Sequence, residues 1–291
     1  MAEAESYWRS ALQGFTTPTP LVTINGPAHA SDRQEGVYTG RQVRLSTEAT
    51  AGLQAAARQQ GLTLNTLVQG AWALLLSRHS EQQDVLFGAT VSGRPPELQG
   101  IEEMVGVFIN TLAVRVRVSP EMSVADWLRQ LQDQQLEARQ YEYSPLAQVQ
   151  GWSEVGRGRA LFESIMVFEN YPVRISSPAP RENGALGAWD IRYLVTESYP
   201  MTLVAEPGSQ LLLEIKYDSS LFDAATIARI SGHLEILLHN ALTQPNVWHQ
   251  TVREILDRTN TEQQLNEQRT LKKVRFQMLK QVKRKIVARP T

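Results

Sequence analysis

Between residues 63 and 79, Leu64, Leu67, Val68, Ala71, Trp72, Leu75 and Leu76 recur at spacings of three and four. That period draws a helix whose apolar surface covers too much of its girth to face water, so the rest of the chain must be folded around it. A shorter helix precedes it. Ser46 is placed to cap a segment running to about residue 60, with Leu53 and Ala56 inward and Gly61 as its stop.

Around this helical pair the pattern changes to strands. Residues 37–45 alternate, residues 84–91 form a short apolar run with one glycine, and residues 108–118 alternate cleanly. In the last of these, Leu112, Val114, Val116 and Val118 share one face while Thr111, Ala113, Arg115 and Arg117 share the other, which predicts one wet face. Ser123 opens a further helix to about residue 141, with Trp127, Leu131 and Leu136 inward. Residues 162–168 and 211–217 read as strands, and Asp223 caps a long helix carrying Ile227, Ile230, Leu234, Leu237, Leu238 and Leu242, with Pro245 soon after its end. Residues 1–45 begin irregularly, because Pro18, Pro20 and the pair Gly26-Pro27 interrupt regular structure. Helices and strands mix without strict alternation, which predicts an α+β or α/β fold with a mixed β-sheet flanked by helices.

The chain offers little chemistry of its own. General acid–base work near neutral pH usually needs a positioned histidine. His29, His79, His233, His239 and His249 are not adjacent to one another, and none makes H-x-x-x-H or H-E-x-x-H, so all five read as structural and no metal site is expected. There is no G-x-S-x-G, and Gly156-Arg157-Gly158-Arg159 is too short for a phosphate loop and reads as a basic turn. No carboxylate pair stands out. Cysteine is absent, which excludes disulfides, thiolate metal ligands and a cysteine nucleophile, and fits a reducing compartment such as the cytoplasm. The longest apolar candidate for a membrane span, residues 71–76, has six residues, and the N-terminus lacks the basic and apolar regions of a secretory signal.

Charge divides the chain. Residues 269–291 hold nine basic residues and no acid, leaving residues 1–268 with 20 basic against 30 acidic side chains, a net of −10. Leu271, Val274, Met278, Val282 and Ile286 step by three and four among those cations, so the segment reads as an amphipathic basic helix. The expected boundary separates residues 1–258, a body, from residues 259–291, a helical tail or linker. Arg275, Lys280, Lys283, Arg284 and Lys285 are its candidate partner-binding residues. Anionic membrane and nucleic acid are weighed as tail ligands, but a solvated linker face is the ordinary reading of such a helix, and nucleic acid is not the expected partner.

Several blocks resemble one family, in that family's order, from about residue 7 to 257. Tyr7-Trp8 with Leu12 is similar to the segment joining the two lobes of a nonribosomal peptide synthetase condensation domain. Phe87-Gly88-Ala89-Thr90-Val91-Ser92-Gly93-Arg94-Pro95 resembles its strand and loop before the central crossover, and Val105-Gly106-Val107-Phe108-Ile109-Asn110-Thr111-Leu112 its G-x-F-x-N-T motif. Tyr141-Glu142-Tyr143-Ser144-Pro145-Leu146 with Gln150-Gly151-Trp152, Leu161-Phe162-Glu163-Ser164 through Asn170-Tyr171-Pro172, and Tyr217-Asp218 with Phe222-Asp223 resemble further blocks.

The resemblance implies one lobe, the second, of the chloramphenicol acetyltransferase-like fold of CoA-dependent acyltransferases. The family joins two carrier-bound acyl groups, the amine of one attacking the thioester of the other. Its H-H-x-x-x-D-G motif lies in the first lobe and is missing from this sequence. The resemblance therefore implies no catalytic residue here. Ser92, Arg94, Asn110 and Thr111 carry over as tunnel or lobe-interface wall; for Asn110 and Thr111, satisfying the backbone at a strand start is an equal alternative.

No cofactor is expected on the chain itself, phosphopantetheine being carried by partner carrier domains. The expected partners are an N-terminal condensation lobe, a peptidyl carrier protein, or an adjacent synthetase or tailoring domain. Leu279-Lys280 with Val282-Lys283-Arg284-Lys285 also resembles linkers that precede iron- and 2-oxoglutarate-dependent hydroxylase domains. Three functional readings stay open: an inert structural or interaction lobe, the second half of a split condensation enzyme, and a fragment of a longer synthetase.

Overall fold

A computed structural model describes residues 1–21, 37–95, 98–169, 198–241 and 246–287. In chain order it places α1 (Ala2–Leu12), β1 (Tyr38–Arg44), α2 (Thr47–Gln59), α3 (Leu64–Ser80), β2 (Asp84–Val91), β3 (Asn110–Arg117), α4 (Val124–Arg139) and α5 (Leu146–Trp152). Then follow β4 (Ser164–Phe168), β5 (Met201–Glu206), β6 (Leu212–Asp218), α6 (Ala224–Ile236) and α7 (Val252–Val287). Gly26, Pro27, His29, Pro96, residues 170–172, Leu242 and Pro245 lie outside the described residues.

The strands form a mixed sheet in the order β1-β6-β5-β4-β2-β3. The two central contacts, β5 with β4 and β4 with β2, are parallel, and the outer pairs are antiparallel. One face of the sheet carries the larger core. There α3 is buried from Thr66 to Ser77 against Val85 and Phe87 of β2, Trp127 and Leu131 of α4, and Ile227 and Leu234 of α6. Helices α2, α4 and α6 start where their cap residues dictate. Ser46 Oγ accepts from Ala49 N at 3.2 Å, Ser123 Oγ from Asp126 N at 3.2 Å, and Asp223 Oδ1 from Thr226 N at 2.6 Å.

The structure departs from the sequence expectation at several points, the first of them on the other face of the sheet. Residues 2–12 are helical, not irregular, and Ala4, Trp8 and Leu12 of α1 are buried on the β2–β3 end of the sheet. The face of β3 expected to be wet is therefore covered in its middle, at Ala113 and Arg115, while Arg117 stays exposed. Ala113 joins this second core, and Arg115 is buried with its guanidinium on Asp84 (2.7 Å), Ala11 O (3.0 Å) and Gln13 O (2.7 Å). A charge in that position is tolerable because every donor direction named finds an acceptor. Leu136 is exposed, not inward, since α4 turns its Trp127–Leu131 stripe to the core. The sequence reading also passed over β5, which lies between β4 and β6, and α5.

At the end of the body, α7 buries Val252, Ile255 and Thr259 and then leaves the core, with Gln264 to Arg269 exposed. The expected boundary at 258/259 falls inside this continuous helix. Arg275, Lys280, Lys283, Arg284 and Lys285 lie on it, and their side chains are outside the described residues. No helix among the described residues is long and apolar enough to cross a membrane.

Candidate functional site: a motif cluster beside an exposed apolar arm

Three of the blocks singled out in the sequence meet at one place. The indole of Trp8 donates to Ser144 Oγ at 3.1 Å, and Tyr7 stacks on Tyr141 with ring centroids 4.5 Å apart. The amide nitrogen of Asn110 donates to Glu142 O at 2.7 Å and Ser144 O at 2.8 Å, while its oxygen accepts from Thr111 N at 2.9 Å. Both amide hydrogens of Asn110 are thus spent on the 142–144 turn, so the residue works as a clamp between that turn and the first residue of β3. Burial and the charges of Glu137 and Tyr141 hold the Tyr7 phenol well above its ordinary range, which keeps it protonated.

The loop from β2 to β3 leaves this clamp and returns to it. Ser92 Oγ accepts from Arg94 N at 3.3 Å, and Gly93 between them has φ +64, with a would-be Cβ only 2.7 Å from the carbonyl carbon of Phe108. Only glycine fits both that backbone and that approach. Arg94 then reaches across the loop. Its guanidinium donates to Ile101 O and, at 2.9 Å, to Met104 O, and lies 4.3 Å from the centre of the Phe108 ring.

What Arg94 holds is an apolar arm turned to solvent. Met104, Val105, Val107 and Ile109 are exposed, Val105 and Val107 fully so. Sequence reasoning missed this feature: the alternation predicts the strand from residue 108, and Val105 and Val107 enter only through the motif resemblance. β3 begins only at Asn110.

A cleft of about 290 Å³ lies beside α1 and α4, along the outer edge of β3, lined among others by Tyr7, Ser10, Arg117, Gln130 and Glu137. Trp127 Nε1 donates to Arg117 O at 3.0 Å and Gln134 Nε2 to Arg115 O at 2.8 Å, so side chains of α4 cap part of this edge strand. The cleft lining holds no histidine. Among the described residues, no group of three or more His, Cys, Asp or Glu could hold a metal ion.

The condensation domain family model matches residues 1–265. The chain belongs to the condensation domain family. A linear gramicidin synthase from Brevibacillus parabrevis is 47% identical over 255 residues, covering 88% of this chain and 3% of that protein. Surfactin synthase subunit 3 of Bacillus subtilis (strain 168) is 31% identical over 254 residues, covering 87% of this chain and 19% of that protein. The chain thus spans a small part of the curated relatives it matches. Among solved structures, a four-domain nonribosomal peptide synthetase bound to AMP and glycine has a TM-score of 0.73 at 20% identity, over 87% of this chain and 20% of that one. The first condensation domain of the calcium-dependent antibiotic synthetase, in complex with a substrate analogue, has a TM-score of 0.65 at 16% identity, over 87% of this chain and 53% of that one. The fold is that of the CoA-dependent acyltransferase-like condensation domains, a mixed sheet flanked by helices.

Proposed function

We propose that this chain serves as the second lobe of a nonribosomal peptide synthetase condensation domain, a structural and protein-interaction half that is inert alone. The observation that carries this reading is the arm of Met104, Val105, Val107 and Ile109, exposed yet pinned by Arg94 and Phe108. Contiguous apolar surface that a soluble protein keeps in fixed shape marks a contact with another protein surface. The occupant is a first lobe bearing the H-H-x-x-x-D-G motif, which these 291 residues lack. Coverage of about half of a solved condensation domain, 53%, supports the same reading.

In this assembly Ser92 and Arg94 fix the arm, and Asn110 and Thr111 fix its root, together forming a wall at the lobe interface. Carrier proteins would bring phosphopantetheine-bound substrates, the amine of one attacking the thioester of the other, with this lobe supplying neither base nor cofactor. The cationic positions Arg275, Lys280, Lys283, Arg284 and Lys285 would meet an adjacent synthetase or tailoring domain in the cytoplasm.

The test mixes the purified chain with aminoacylated carrier pairs, with and without a separately expressed first lobe. The chain alone should give no peptide above a heat-treated control. Sedimentation should show it self-associating or binding the first lobe, and V105D/V107D should weaken that contact. Peptide made only by the mixture would identify a complementing enzyme half, and binding without product a purely structural lobe. Product from the chain alone, or a strictly monomeric chain that ignores the first lobe, would overturn the reading.

A further inference from the structure

The last turn of α3 meets the middle of α6 through two imidazoles. His79 and His233 have ring centroids 5.7 Å apart, tilted by 50°. His233 is only 2% exposed, yet its Nδ1 finds no hydrogen-bond partner, and neither does Nε2 of His79. Buried polar nitrogens are rarely left in that state without a reason. Each histidine has an arginine beside it, Arg78 adjacent to His79 and Arg229 one helical turn before His233 on α6.

The charge balance of this contact is positive. No salt bridge ties Arg78 or Arg229 to a carboxylate among the described residues. Asp223, the N-cap of α6, accepts from Thr226 N at 2.6 Å and Thr226 Oγ1 at 3.0 Å and offsets part of the charge of Arg229, whose guanidinium donates to that hydroxyl at 3.4 Å; Glu235 is the acid within α6. Glu81 follows α3 as its left-handed C-cap. The carbonyl end of α3 contributes roughly half a negative charge, too little to neutralise two guanidiniums. A metal cation would be repelled here, although two imidazole nitrogens are free to ligate one. An anion would not.

We propose that the α3–α6 contact is an oxyanion-binding site, in which Arg78 and Arg229 supply charge and His79 and His233 turn N–H groups to a tetrahedral anion of the phosphate class. Neutral imidazole donates from one nitrogen, so each orphaned atom can present a hydrogen to an oxygen by choice of tautomer. The arginines are exposed and both orphaned nitrogens are buried, so an anion held first by the guanidiniums meets the imidazoles as side chains at the α3–α6 contact move aside. It is separate from the lobe-interface arm and does not depend on the condensation reading. The surroundings that now push both histidines down to about 4 are burial first, then for His79 its partner His233 with Arg78 and Arg229, and for His233 the same two arginines. A bound anion opposes those charges, so binding must strengthen as pH falls, by reciprocal linkage.

The experiment follows the melting temperature of the full chain in sulfate and in chloride at matched ionic strength, at pH 8 and pH 6. Sulfate keeps its charge over that range, so any pH dependence belongs to the protein. We expect a saturable rise in sulfate that chloride does not give, larger at pH 6. R78Q/R229Q, which alters surface side chains only, should fold and weaken the apparent sulfate affinity about tenfold or more. Parallel titrations with inorganic phosphate and phenyl phosphate separate a site for the free ion from one for a phosphoryl group on a larger ligand. Sulfate and chloride curves that coincide, or a double variant with the wild-type sulfate response, would overturn the proposal.

Discussion

A Cβ placed on Gly88 would lie 2.7 Å from Cζ of Phe162 and 2.8 Å from Cγ2 of Ile165. Gly88 sits in β2, buried, and pairs across the parallel contact with Ile165 of β4, so the ring of Phe162 fills the space a side chain would need. The glycine of one sequence block and the phenylalanine of another are thus a fitted pair, which explains why a strand interior tolerates the residue least suited to it.

That pairing sets the first prediction. G88A should destabilise the chain by about 1–3 kcal/mol, the range for overpacking a close-packed core. Combining it with F162L should recover part of the loss, because the two act in one space. Urea denaturation of the two single variants and the double variant tests both parts. A G88A midpoint equal to wild type would show that the strands part easily here.

The Asn110 clamp is the second. N110A removes the hydrogen bonds that Asn110 gives to the carbonyls of Glu142 and Ser144 and should cost about 1–3 kcal/mol. N110D should be worse, since a carboxylate would face two carbonyl oxygens at the same distances. Should N110D match or exceed N110A in stability, the amide is not donating to that turn.

Much of this was legible in the chain. The girth of α3 was fixed by its apolar period, and Ser46, Ser123 and Asp223 marked three helix starts that the structure repeats. The misses share a cause. Ala4, Trp8 and Leu12 already stand four apart, but an eleven-residue helix is marginal alone and is held here by β2 and β3, far along the chain. The same docking turned the middle of the polar side of β3 into interior, with Arg115 spending its charge on carbonyls at the end of α1 and on Asp84. Among the candidate site residues, spacing could show that Asn110 and Arg94 lay near turns. It could not show that one closes on residues 142–144 and the other on the 101–108 arm, because neither contact has a periodic signature.

A third prediction concerns acid. Both His79 and His233 titrate near 4 in the folded chain, below the ordinary histidine value of 6.5. A group whose folded value is depressed is protonated more readily when unfolded, so its full stabilising share is present above about pH 6.5 and is lost as pH falls toward 4. Within that window stability should drop by about 1.4 kcal/mol per pH unit for each histidine. Denaturation midpoints in chloride at pH 7.5, 6 and 5 measure the slope. H233F should flatten it even if its own stability is lower, and a variant slope equal to wild type would assign the acid response elsewhere.

The last prediction concerns the helix that leaves the body. Val252 and Ile255 are fully buried and Thr259 nearly so, its hydroxyl donating to Ile255 O at 2.8 Å, whereas Gln264 to Arg269 are exposed. Packing therefore thins after Thr259 to the partly buried Glu262 and Gln263, and Arg269 and Lys272 stand exposed on the helix. An isolated cationic helix of that kind is weakened by like charges one turn apart. Truncation after Asn260 should consequently shift stability by less than about 0.5 kcal/mol, while I255A should cost about 2–5 kcal/mol through the cavity it leaves. Thermal melts of the two variants separate the roles. The truncated chain should also lose affinity for whatever acidic partner follows the body. That loss should shrink as salt rises, because the wild-type contact is itself screened beyond about 10 Å at 0.1 M. A truncated chain that unfolds would place the projecting turns in the core and move the boundary past residue 260.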